Sequence, residues 1–132
     1  MKKADSFNPN NTYQKLPDGK EPIGLFVSPC QYIQGRGVAK MIGEYLSLCI
    51  SGNAGILITP GRDRALGALL EESLRSSGLS AVKVIFQGES SMREVERVGE
   101  SFLASGRPVD VIIGAGGGKC LDTARMAALI GA

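Results

Sequence analysis

"VIIGAGGGKCLDTARMAA", residues 111–128, decides how this chain folds. An aliphatic run over residues 111–113 gives way to Gly114, Gly116, Gly117 and Gly118, then to Lys119 and an apolar stretch with helical spacing. The pattern predicts a strand, a glycine turn and a helix. Glycines let the backbone turn sharply and bring its N–H groups within reach of phosphate oxygens. A helix starting near Cys120 aims its partial positive end at the same spot, and Lys119 adds a full charge. The loop is suited to a pyrophosphate. The plainer alternative is that the glycines only permit a tight turn, but one glycine would be enough for that.

Two familiar phosphate loops do not fit the spelling. A nucleoside-triphosphate loop needs glycine where Ile113 stands and Ser or Thr where Cys120 stands. The GxGxxG dinucleotide fingerprint needs glycine in place of Lys119, and normally follows the first strand of its domain.

Outward from this segment, helical and extended patterns alternate. Val38, Met41, Ile42, Tyr45, Leu46 and Cys49 repeat at spacings of three and four, as do Leu66, Leu69, Leu70 and Leu74, and then Met92, Val95, Val98, Phe102 and Leu103. Gly35 and Gly37 mark the turn into the first helix, Gly78 stops the second, and residues 106–108 close the third. Ser91 and Glu94 form a capping-box pattern. Between the helices lie "AGILI" (54–58), "AVKVIF" (81–86) and "VDVII" (109–113). Alternation in this order predicts an α/β fold: a parallel sheet with flanking helices and right-handed crossovers. Residues 1–22, rich in Asn, Pro, Lys and Gly, read as a flexible lead-in to a domain over 23–132. Two short strand pieces around Ser28 and Pro29 are expected near its start.

Length and charge narrow the function classes. A chain of 132 residues is one domain at most. Net charge is +2, with basic and acidic residues mixed, so neither nucleic acid nor a membrane surface is an expected partner. No apolar window is long enough to span a bilayer and no signal-peptide pattern opens the chain, which makes the expected address cytoplasmic. Cys30, Cys49 and Cys120 show no paired spacing, so neither a disulfide framework nor a zinc knuckle is expected; Cys30 and Cys49 read as small buried hydrophobes. The chain has no histidine, which excludes a Ser-His-Asp triad, an HExxH zinc site and any imidazole base.

From about Gly24 onward the sequence resembles the N-terminal domain of the glycerol dehydrogenases, within the metal-dependent, "iron-containing" alcohol dehydrogenases. The resemblance rests on "SPCQYIQGRGV" (28–38), "IGEYL" (42–46), "FQGESSMREVERV" (86–98) and "DVIIGAGGGKCLDTARMAA" (110–128), in that order. It implies a Rossmann-like N-terminal domain of the dehydroquinate synthase-like fold, with NAD as cofactor. Its pyrophosphate would lie on Gly116, Gly117, Gly118, Lys119 and Cys120. Asp122 belongs to the same signature; read from the residues alone, it is a first-turn carboxylate complementing the helix dipole.

Two positions depart from the family pattern. Glycerol dehydrogenases usually carry Asp at the end of the first long strand, facing the adenosine ribose. This chain reads Thr59-Pro60-Gly61 there. Pro60 is a candidate cofactor contact at this corner, and its presence does not argue against cofactor binding, since the related maleylacetate reductases also carry Thr-Pro there. Without that carboxylate a 2′-phosphate is no longer repelled and Arg62 could pair with one, so NADP is not excluded. The plainer reading is that Thr59 or Asp63 caps the next helix. Cys120 stands where Ser or Thr is usual, and a thiol at the start of a helix is expected to have a lowered pKa.

The resemblance further implies a second, helical domain whose Asp and two His bind zinc or another divalent metal, and a small polyol substrate whose secondary alcohol is oxidised to a ketone. It leaves room for a homo-oligomer. No catalytic residue and no metal ligand is assigned in this chain. Part of such a dehydrogenase, inactive alone, is the leading reading. A non-catalytic nucleotide-binding module and a degenerate remnant are the alternatives. The last helix, apolar almost all round, is expected to need covering.

Overall fold

A computed structural model describes residues 33–130. The expected lead-in over 1–22, the strand pieces around Pro29, and Cys30 lie outside the described residues. The chain enters through Gly37, whose φ of 76° suits glycine, into a 3₁₀ turn, Val38–Met41. That turn runs into helix α1, Ile42–Ser47. Strand β1 is Asn53–Ile58. Helix α2 follows at once, as Pro60–Arg62, a wider π turn at Asp63–Gly67, and Ala68–Ser76. Next come β2 (Ser80–Ile85), α3 (Met92–Leu103), β3 (Val111–Ala115) and α4 (Gly118–Leu129).

All three strands are parallel, in the order β2-β1-β3. β1 is therefore central, and every one of its residues is buried. Residues of a strand alternate between faces, and here the alternation separates two cores. Leu57 packs with Val95, Val98 and Phe102 of α3 and Ala124 of α4. Ala54, Ile56 and Ile58 face the other way, onto Leu70 and Leu74 of α2, with Ile42 and Leu46 of α1 against them. Gly55 leaves room for the Phe102 ring, which would lie 2.9 Å from any Cβ there. Burial on both faces accounts for the nearly unbroken aliphatic spelling of β1.

The expected α/β fold is present, with several local corrections. β3 begins at Val111 rather than Val109, because Asp110 closes the sheet mouth instead: its N–H donates to the Asn53 carbonyl and its Oδ2 accepts from the Asn53 N–H, both at 2.8 Å. α2 starts at Pro60, well before the leucine stripe, since a proline at the first helical position loses no hydrogen bond. α1 ends at Ser47, and Cys49 beyond it is exposed, not buried. Gly78 (φ 79°) stops α2 as expected: its N–H donates to the Arg75 carbonyl, and that of Leu79 to the Leu74 carbonyl, each at 3.0 Å. Ser91 caps α3 by accepting from the Glu94 N–H at 3.2 Å. The Glu94 carboxylate does not complete the box. It accepts from the Gln87 N–H at 2.9 Å and from Arg97 at 2.7 Å instead.

On α4, Leu121, Met126 and Leu129 are exposed, as is Ile130 at its C-cap. Among the described residues, no helix is long and apolar enough to cross a membrane.

Candidate functional site

The chain leaves β1 for a helix on one face of the sheet and leaves β3 for a helix on the other. Between the carboxyl ends of these neighbouring strands lies a topological switch point, where open α/β sheets bind ligands. Two loops meet there: Thr59-Pro60 after β1, and Gly116-Gly117 after β3. They are tied directly, since the Thr59 N–H donates to the Ala115 carbonyl at 3.1 Å.

The glycines of the second loop have different tasks. A Cβ on Gly114 would stand 3.0 Å from Ala124 Cβ, so this glycine lets α4 lie close on its strand. A Cβ on Gly116 would stand 2.6 Å from Thr59 Cγ2 and 2.8 Å from Cys120 Cβ. Packing explains both. It explains neither Gly117 nor Gly118, which have open space where a side chain would go. Nor does backbone conformation require glycine there, because neither has a positive φ. The plainer view of the loop as a tight turn thus accounts for half of its glycines. The other half leave backbone exposed toward solvent.

That exposed backbone carries unused donors. α4 begins at Gly118, with Gly117 as its N-cap and no side chain capping it. The first bond into the helix is Leu121 N–H to the Gly117 carbonyl at 3.1 Å. Among the described residues, nothing accepts from the N–H groups of Gly118, Lys119 or Cys120. Orphan donors at a helix start, with the positive end of the dipole behind them, form a ready site for an anion.

The remaining predicted site residues fall as follows. Pro60 is exposed at the β1 corner, beside the cradle. Lys119 is exposed on the first turn of α4, where its Nζ lies 2.8 and 2.9 Å from the two carboxylate oxygens of Glu89. Cys120 is the third residue of α4 rather than the first, and it is buried, with Sγ donating to the Leu57 carbonyl at 3.5 Å. Burial pushes the thiol pKa up, only partly offset through the Ala115 backbone, so the expected lowering is reversed. The Cys120 sulfur faces the core. Asp122 is exposed but lies past the first turn, because α4 starts two residues earlier than the spelling suggested. Its expected role as a first-turn carboxylate falls with that.

The β1 corner is not capped by either expected side chain. Thr59 takes the N-cap position without a side-chain hydrogen bond. Asp63 turns to Lys83 of β2, 2.9 Å away, and Glu71 holds the same Nζ at 3.1 Å. These two carboxylates hold the Lys83 pKa above its ordinary value, Asp63 contributing most. Arg62 and Arg64 are exposed.

Residue reading missed the third loop, over 86–91. It joins β2 to α3 and reaches α4 twice, through Glu89 to Lys119 and through Ser90 Oγ to Thr123 Oγ1 at 3.1 Å. Thr123 is completely buried and also donates to the Lys119 carbonyl at 2.9 Å. The signal was present: all strand-end loops of a parallel sheet emerge at one edge, so Gly88-Glu89-Ser90 belongs with the glycine loop. As for a metal, the chain has no histidine, and among the described residues no three Cys, Asp or Glu converge on one point. The described residues do not fit a divalent metal centre.

Comparison with known proteins places this geometry. Residues 29–132 match the family described as iron-containing alcohol dehydrogenase. Glycolaldehyde reductase of Halobacterium salinarum is 39% identical over 105 residues, covering 76% of this chain and 27% of the relative. Glycerol dehydrogenase of Pseudomonas putida is 34% identical over 105 residues, with the same coverage. The crystal structure of glycerol dehydrogenase from Schizosaccharomyces pombe superposes with a TM-score of 0.71 at 29% identity, covering 79% of this chain and 26% of that one. The chain thus spans about a quarter of the length of the relatives it matches. It belongs to the iron-containing alcohol dehydrogenase family.

Proposed function

We propose that this chain is the coenzyme-binding part of a polyol dehydrogenase, most concretely a glycerol dehydrogenase-like enzyme using a nicotinamide dinucleotide. One observation carries the proposal: Gly117 and Gly118 are glycines without a packing or conformational need for it, beside unused N–H groups at the switch point. A pyrophosphate would take its hydrogen bonds from the N–H groups of Gly118, Lys119 and Cys120, with the Lys119 ammonium as a further partner. Pro60 would flank the adenosine side. When bound, the nicotinamide supplies the hydride acceptor for oxidation of a secondary alcohol to a ketone. The groups that would activate the alcohol are not among the described residues, whose own contribution is binding and orientation.

The β1 corner supports acceptance of NADP as well as NAD. Its one carboxylate, Asp63, is held on Lys83, while Arg62 and Arg64 are exposed. Among the described residues, no other carboxylate at this corner is left to repel a 2′-phosphate.

Titration calorimetry of the 132-residue chain with NADH and NADPH tests both points. One-to-one binding that weakens with added salt is expected. Heat indistinguishable from buffer dilution with both dinucleotides would overturn the proposal.

A further inference from the structure

Resting on the pyrophosphate reading, we propose that Glu89 is a displaceable internal counter-ion of the anion cradle, so that a bound pyrophosphate takes Lys119 away from it. Lys119 is the only full positive charge on the first turn of α4, and both Glu89 carboxylate oxygens are already on it, at 2.8 and 2.9 Å. The pair is open to water, with side-chain exposures of 62% for Lys119 and 77% for Glu89. Exposed ion pairs contribute little to stability, because water screens them and two long side chains must be held still. This one is therefore able to open.

Its surroundings are fixed by other means. Gly88, with φ 103°, sets the turn just before Glu89. The bond from Ser90 to buried Thr123 holds the loop against α4 just after it. The loop stays in place whether or not Glu89 keeps Lys119, so the carboxylate remains beside the cradle in both states. A ligand must draw Lys119 from Glu89 and also accept a negative charge nearby. Both effects lower affinity: opening the pair is a fixed cost, and the repulsion grows with the charge of the ligand. A pyrophosphate, with two charged phosphates spread over several N–H donors, is the anion best able to overcome them.

The opposite role is equally concrete. If Glu89 positioned Lys119 for the ligand, removing its charge would weaken binding. Calorimetric titration of the full chain with NADH separates the two, comparing wild type with Glu89→Gln and Glu89→Ala. The displaced counter-ion predicts about two- to five-fold tighter binding for both variants. Glu89→Ala guards against a new contact made by the glutamine amide. Inorganic phosphate, titrated in parallel, should gain at least as large a factor. Unchanged or weaker NADH binding in folded variants overturns the counter-ion. Absence of NADH binding by wild type overturns instead the pyrophosphate reading on which it rests.

Discussion

Gly116 and Thr59 share one small space: a Cβ on the glycine would stand 2.6 Å from the threonine Cγ2. The two loops at the switch point are packed against each other as tightly as core elements. Gly116→Ala therefore forces Thr59 or Cys120 to shift, and overpacking of this kind costs about 1–3 kcal/mol. Urea unfolding should show a lowered midpoint. Thr59→Ser in the same chain removes Cγ2 and should restore part of the loss.

Gly117 and Gly118 should behave in the opposite way. Alanine at either position meets nothing within 4 Å. Stability should be unchanged or rise by up to about 1 kcal/mol, through lower entropy of the unfolded chain. The methyl group would nevertheless stand where a pyrophosphate must approach. NADH affinity is expected to fall roughly tenfold, about 1.4 kcal/mol by calorimetry. Equal affinity in Gly117→Ala and wild type would leave the open glycines without a part in binding.

Acid should weaken the fold partly through Glu94. The Arg97 guanidinium, with the Gln87 N–H, holds its carboxyl below the usual 4.5 against the opposing effect of burial. A group whose pKa is lower in the folded state contributes stability that is fully present above the unfolded value. That contribution disappears as pH falls from about 4.5 through the lower folded value. Glu94→Gln should flatten the loss of stability with acid over this range and cost about 1.5–3 kcal/mol near neutrality. Denaturant titrations at a series of pH values would read both effects.

The thiols should separate by rate. Cys49 is exposed, whereas Cys120 is 1% exposed and its thiol pKa is pushed up by burial. Iodoacetamide at neutral pH is expected to label Cys49 before Cys120, and to reach Cys120 only when the chain opens. Peptide mass spectrometry over time gives the order directly. Faster labelling at Cys120 would contradict its placement in the core.

Much of the architecture was legible because it depends on patterns that tertiary contacts seldom override. Unbroken aliphatic runs become strands covered on both faces, as in β1, and helical spacing became α2, α3 and α4. Cap positions were harder to read. Ser91 acts as expected, but Glu94 prefers Arg97 and Gln87, partners that only the fold brings near. Cys120 was misread for a related reason. Its place in a motif suggests reactivity, yet starting α4 two residues earlier rotates its side chain into the core. Glu89 was invisible to local reading, since its partner lies 30 residues away on a different strand-end loop. Separating the four loop glycines into two packing residues and two open ones likewise required the folded chain.

The central position of β1 also constrains how the chain comes together. Its pairing with β3, the Thr59 bond to Ala115 and the Cys120 contact with Leu57 join segments far apart in sequence, 63 residues in the last case. Until residues 111–120 arrive, β1 has only one neighbour, and the open edge beside it is an aliphatic strand without a partner. Long-range closure of this kind slows folding. The cradle exists only where β3 is paired with β1, so a dinucleotide bound there would favour the folded chain over the unfolded one by mass action.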